Sequence, residues 1–145
     1  MAGITQRDWD HFRATLPSAG LPYDVRETTQ TQRLAFWSQR WRDCGADAAP
    51  PVLARALFDT AVHDGVSWTV EALQRLLGLV QDGIVGRRTR AALRALDDTT
   101  AQILARAILW GRRLHEEMLV LVYPDLAVFK RGWLARIDAL VQELG

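Results

Sequence analysis

The chain has 145 residues, 49% hydrophobic and 24% charged, with a formal net charge of +1. That balance excludes a disordered or collagen-like chain and leaves no cationic excess for a dedicated nucleic-acid binder. A chain this long buries about two thirds of its unfolded surface without staples. The sole cysteine, Cys44, excludes an internal disulfide and a cysteine-rich zinc site, and no run of about 18 apolar residues predicts membrane insertion.

The pattern along the chain is helical throughout. Thr5 stands three residues before Asp8, a capping-box-like start for an amphipathic stretch carrying Trp9, Phe12 and Leu16, which Pro17, Gly20 and Pro22 end. A second helix is predicted from about Thr28, with Leu34, Trp37 and Trp41 at spacings of three and four, to about Gly45. Pro51 suits the first turn of a third helix, closed by Asp64-Gly65, where glycine accepts left-handed geometry. Ser67 is the expected N-cap of a fourth helix reaching Leu77, and Gln81-Asp82-Gly83 is a turn. Gly86 opens a short fifth helix over residues 87–96. A long sixth follows the expected caps Asp98 and Thr99, through Ile103, Ala107, Leu114 and Met118 towards Val122, and Pro124 starts a last helix ending near Leu144. No stretch alternates like a half-buried strand, so the fold class is all-α, six to seven helices in a single domain over 1–145.

The third helix is apolar around most of its circumference: Leu53, Ala54, Ala56, Leu57, Phe58, Ala61 and Val62. Such a helix belongs inside a packed assembly of helices. Arg55, Asp59 and His63 fill the remaining stripe, and charges there must be paired, hydrated or turned to a cleft. Two readings follow: a polar wall of a groove, or an internal ion network that locks helices together. In the turn after the fourth helix, Asp-Gly favours positive φ at Gly83, Gly86 permits close packing at a helix start, and Thr89 can satisfy first-turn amides. Gln74 is placed to brace that turn.

The run Ala56-Leu57-Phe58-Asp59-Thr60-Ala61-Val62-His63-Asp64-Gly65, then Leu73-Gln74-Arg75-Leu76-Leu77-Gly78 and Asp82-Gly83-Ile84-Val85-Gly86-Arg87-Arg88-Thr89, resembles the N-acetylmuramidases of glycoside hydrolase family 108. The likeness is to their predicted peptidoglycan-binding portion in particular. Asp24-Val25-Arg26 and Phe36-Trp37 with Trp41 are similar to the helix preceding that core. Arg131-Gly132-Trp133 with Arg136 resembles the closing arginine–glycine–tryptophan motif, and Gly3-Ile4-Thr5 the segment after the catalytic region. The resemblance covers almost the whole chain, best over 51–145, and implies a lysozyme-like helical lobe. Gln74, Asp82, Gly83, Gly86, Thr89, Arg131, Gly132 and Trp133 then belong to architecture. In the closing motif Trp133 is expected as a core anchor, with Arg131 or Arg136 tying down a carboxylate.

Cleaving a glycosidic bond needs a carboxylic acid to protonate the leaving oxygen, and usually a second carboxylate. In the resembled family the acid is a glutamate in a glutamate–glycine–glycine motif ahead of the glycine–isoleucine–threonine segment. Here Gly3 follows Met1-Ala2 directly and that motif is absent from the sequence. The glutamates present, Glu27, Glu71, Glu116, Glu117 and Glu143, read as solvated, paired or terminal charges, and His63 stands where the family usually has asparagine. The expectation is a catalytically degenerate muramidase-like protein that binds peptidoglycan or an envelope or phage partner, with Trp41, Asp59, His63 and Trp68 contributing to the groove and no catalytic residue, metal or cofactor.

Two alternatives stand beside it. One is an active N-acetylmuramidase. The other is a helical adaptor or virion component, homo-oligomeric or in a hetero-complex, docking through apolar surface such as Trp9, Phe12 and Trp68. His11, His63 and His115 are far apart in sequence and form no zinc motif. Residues 1–10 lack the apolar core of a secretory leader. Synthesis in the cytoplasm, with release by a holin, secretion system or virion, is the matching expectation.

Overall fold

The computed structural model describes residues 3–145; Met1 and Ala2, at the start of the stretch read above for a leader, lie outside it. The described residues form seven α-helices and no strand: α1 (Gln6–Ala14), α2 (Gln30–Asp43), α3 (Pro51–Asp64), α4 (Val66–Leu76), α5 (Arg87–Arg94), α6 (Asp98–Val122) and α7 (Ala127–Glu143). Short 3-10 turns run over Val25–Glu27 and Pro124–Leu126. The all-α fold is as expected.

Local chemistry explains most boundaries. The Thr5 hydroxyl accepts the Asp8 amide (3.1 Å), as expected. At the head of α2, Thr29 Oγ1 accepts the Gln32 amide (3.2 Å) and Gln32 Oε1 accepts the Thr29 amide (2.9 Å), a reciprocal capping box that moves the start past Thr28. Pro51 occupies the first turn of α3, and Gly65 (φ 94°) ends it while serving as N-cap of α4. Ser67 is therefore not a cap; it lies one residue inside α4 and donates to Glu71 Oε1 (2.9 Å). The cap of α6 is Asp97, whose carboxylate accepts the Thr100 amide (2.7 Å), rather than Asp98 or Thr99. Pro124 opens a 3-10 turn, and α7 follows it.

The chain gathers into two compact units, residues 1–40 and 41–145. In the first, Trp9, Phe12 and Phe36 form the core, with Ile4, Leu21, Val25 and Trp37 packed against it. The expectation that Trp9 and Phe12 present apolar docking surface is corrected: they are 0% and 7% exposed. Phe36, not Leu34, supplies the buried face of α2, because it meets Phe12 edge to face with ring centroids 5.4 Å apart.

In the second unit α3 packs against α4 and α6, and α6 against α7. The core is built from Leu53, Leu57 and Ala61 of α3, Leu73, Leu93, Ala105, Ile108 and Leu109 of α4 to α6, and Ile137 and Leu140 of α7. Cys44 is fully buried here, and burial pushes its thiol up to about 11. The inward face of α6 differs from the one the sequence marked. Ala101, Leu104, Ala105, Ile108 and Leu109 face inward, while Ile103, Trp110, Leu114, Met118 and Leu121 form an exposed stripe on the opposite side. No helix among the described residues is long and apolar enough to cross a membrane.

The turn after α4 is held by Gln74, which is 1% exposed. Its Nε2 donates towards Asp82 Oδ1 (2.8 Å), the Ile84 carbonyl (3.0 Å) and Thr89 Oγ1 (3.2 Å), and its Oε1 accepts the Gly83 amide (3.0 Å). Hydrogen bonds from the Ile84 amide and then Gln74 hold Asp82 below the usual carboxylate range. Gly83 has φ 72°, and a Cβ there would lie 2.7 Å from Ser67 Oγ. Gly86 is extended and has nothing within 4 Å of where a Cβ would sit, so the close packing expected there is absent, and Gly132 has the same open space. These bonds brace the turn, and Gln74→Ala is expected to lose about 2–4 kcal/mol through orphaned buried groups, read as a lower urea midpoint.

Candidate functional site

The last two turns of α3 carry Asp59, His63 and Asp64 towards one turn of α6, which offers Arg112, His115 and Glu116. The spacing of four between Asp59 and His63, and between Arg112 and Glu116, puts each pair on one helix face. Residues Trp133 and Arg136, three apart on α7, close a second side. Arg112 is the hub. Its Nη1 donates to Asp59 Oδ1 (2.8 Å), its Nε donates to Glu116 Oε1 (2.8 Å), and the same Nε lies 3.3 Å from Asp64 Oδ2. Asp59 Oδ2 accepts from Arg136 Nε (2.9 Å) and also from its Nη2.

Arg112 and Glu116 are fully buried, and the Asp64 side chain is 3% exposed. Thr60 Oγ1, Asp64 Oδ2, Arg112 Nη2 and Glu116 Oε2 are buried without a hydrogen-bond partner. His63 Nδ1 lies 3.4 Å from Glu116 Oε1 and 3.5 Å from Asp64 Oδ1, and His115 Nε2 lies 3.9 Å from Asp64 Oδ1. The aromatic rim has two parts. Trp133 meets the His63 ring edge to face at 5.4 Å and stacks on Phe129, while Trp68 lies 4.8 Å from the His115 ring.

Of the residues singled out from sequence, Asp59 and His63 come together, and Trp68 joins them through His115. Trp41 rests against Phe58, with ring centroids 5.2 Å apart, and makes no contact of this kind with the polar cluster. Arg136, not the exposed Arg131, ties down a carboxylate, and Trp133 is half-buried at the rim rather than sealed in the core. Arg55 pairs at the surface with Glu143 (2.6 Å), so the polar stripe of α3 splits between a surface ion pair and the buried network. The sequence reading missed Arg112, Asp64, His115 and Glu116. The available signal was a charged pair four residues apart, Arg112 and Glu116, in register with the small and apolar positions Ala101, Ala105, Ile108 and Leu109 of the other α6 stripe.

Burial pushes the Asp59 carboxyl up, but hydrogen bonds from Arg136 and Arg112, with their charges, outweigh it and hold it below the usual range. A carboxylate with a depressed folded value stabilises fully above its unfolded value of about 3.9 and loses that contribution as pH falls through the folded value. Urea midpoints are therefore expected to drop below about pH 4, and Asp59→Asn to show a shallower slope over that window.

Residues 1–65 match the family model described as Glycosyl hydrolase 108, and residues 68–138 match the one described as Predicted Peptidoglycan domain. No curated protein shows significant sequence similarity. Among solved structures, that of Brucella abortus SagA matches with a TM-score of 0.68 at 23% identity, over 98% of this chain and 76% of that one. At that identity the likeness is one of fold.

Proposed function

We propose that this chain, whose residues 1–65 match the Glycosyl hydrolase 108 model and 68–138 the Predicted Peptidoglycan domain model, is a muramidase-like protein that binds peptidoglycan without cleaving it. One observation carries the loss of cleavage: no glutamate here is both shielded and open to a groove. Glu116, the shielded one, is 0% exposed and already accepts a hydrogen bond from Arg112, so no glycosidic oxygen can approach it. Glu27 and Glu143 are exposed, Glu117 lies 3.8 Å from Arg113, and Glu71 accepts from Ser67. A general acid needs an environment that keeps its proton and a path to the leaving group.

Binding is supported by the rim, where aromatic rings flank partly exposed imidazoles: the side chains of His63 and His115 are 31% and 33% exposed. Apolar ring faces beside a few polar groups suit a sugar. The test pairs two assays on the purified chain. It is expected to sediment with insoluble peptidoglycan, less so as Trp68→Ala, and to leave the turbidity of a cell-wall suspension unchanged. Clearing that substitution of one glutamate abolishes would establish an active enzyme, and absence of sedimentation would remove the binding reading.

A second reading, an adaptor or homo-oligomer, is favoured by the exposed apolar stripe of α6. A concentration-dependent mass in solution that Trp110→Lys reduces to that of one chain, together with no affinity for peptidoglycan, would favour it.

A further inference from the structure

We infer that His63, Asp64 and Glu116 form a binding site for a dication of the zinc class that pins the C-terminal end of α3 to α6. Sequence distance hides the cluster, because its members come from two helices. One ligand atom from each of the three lies within 4.8 Å of the others. His63 Nδ1 lies 3.4 Å from Glu116 Oε1 and 3.5 Å from Asp64 Oδ1, which brings both carboxylate groups within reach of an ion held by the imidazole.

An independent observation points the same way. Glu116 Oε2 is buried with no hydrogen-bond partner on a side chain that is 0% exposed, and Asp64 Oδ2, also buried without a hydrogen bond, faces the Arg112 Nε at 3.3 Å. Free buried lone pairs are costly, and a cation satisfies them. Coordination through Glu116 Oε2 also leaves the Arg112 hydrogen bond on Oε1 in place, as an outer donor that orients the ligand.

Charge agrees with geometry. Three carboxyl groups, those of Asp59, Asp64 and Glu116, share two guanidiniums, Arg112 and Arg136, so acceptors outnumber the arginines that serve them. The negative end of the α3 dipole falls here too, because His63 and Asp64 are the last two residues of that helix. A donor set of one imidazole nitrogen and two carboxylate oxygens suits zinc better than calcium or magnesium, which prefer oxygen alone. The part-exposed rings of His63 and His115 leave a way in from solvent.

The test uses the full chain freed of metal by chelation and titrated with Co2+ as a spectroscopic stand-in, then with Zn2+. The expected result is one tetrahedral Co2+ per chain, seen as an intense visible d–d band, and a rise in melting temperature of roughly 5 °C with excess Zn2+. His63→Ala removes a part-exposed ligand, and Glu116→Gln keeps an acceptor for Arg112 while losing the charge. Each is expected to weaken Co2+ binding about tenfold or more, with circular dichroism confirming that the metal-free variant is folded. A wild-type chain with no such band and no Zn2+-dependent melting would overturn the site. An equal band in a folded His63→Ala variant would overturn it as well. Because the readout is metal binding, it stands or fails separately from affinity for peptidoglycan.

Discussion

Arg112→Ala is expected to destabilise the unit over residues 41–145 by about 3–5 kcal/mol, lowering its melting temperature by roughly 10–20 °C in a circular dichroism scan. The size follows from what the substitution leaves behind. Glu116 would lose its only hydrogen bond of this network inside the fold, and Asp59 would keep Arg136 alone. Truncating one side of a buried ion network costs more than the network's net worth, because the remaining charge stays desolvated. Arg112→Lys is expected to fall between wild type and alanine, since a single ammonium cannot reach Asp59 and Glu116 in the forked geometry of a guanidinium. The double variant Arg112→Met, Glu116→Met should recover part of the loss, because it removes both charges and fills the space. If Arg112→Ala cost less than about 1 kcal/mol, the network would not be what joins α3, α6 and α7.

Trp9→Ala is the second large effect, about 3–5 kcal/mol, confined to the unit over residues 1–40. Trp9 is 0% exposed, its ring lies 5.5 Å from Phe12, and its Nε1 donates to the Pro22 carbonyl (2.9 Å), which ties the connector back to α1. So small a unit has few other large side chains to bury. Hydrogen exchange should therefore lose protection across α1 in the variant. Trp9→Phe keeps most of the ring and loses the bond to Pro22, and is expected to cost only about 1–2 kcal/mol. Unchanged protection in Trp9→Ala would mean that Phe12 and Phe36 suffice as a core.

What the sequence disclosed was mostly local. Thr5, Pro51, Gly65 and the Asp82-Gly83 turn act on backbone groups within a few residues, so their chemistry can be read along the chain. Helix α6 shows where such reading stops. It carries two apolar stripes, and periodicity alone does not say which turns inward. Packing chose the stripe with Ala101 and Ala105, since small side chains let α6 approach the alanine-rich α3 closely, and left Ile103, Leu114 and Met118 outside. The caps of α4 and α6 differ from the expected Ser67 and Asp98 for a simpler reason: Gly65 joins α3 to α4 with no spare residue, and α6 begins at Asp98 itself, so its cap is Asp97, one position earlier.

The polar cluster was half legible. Asp59 and His63 stand out because they interrupt an apolar helix. Their partners Arg112, Glu116 and Arg136 lie on other helices, and only tertiary packing pairs them. His63 and His115 show the same limit: 52 positions apart in sequence, each approaches the same Asp64 carboxylate oxygen.

The sealed thiol of Cys44 makes the chain a reporter of its own breathing. It is the single sulfhydryl, it lies within the main core, and its proton is held until about pH 11, so a maleimide can label it only during an opening. Under conditions where reclosing outpaces modification, the labelling rate gives the opening equilibrium around the α2–α3 connection directly, with no engineered probe.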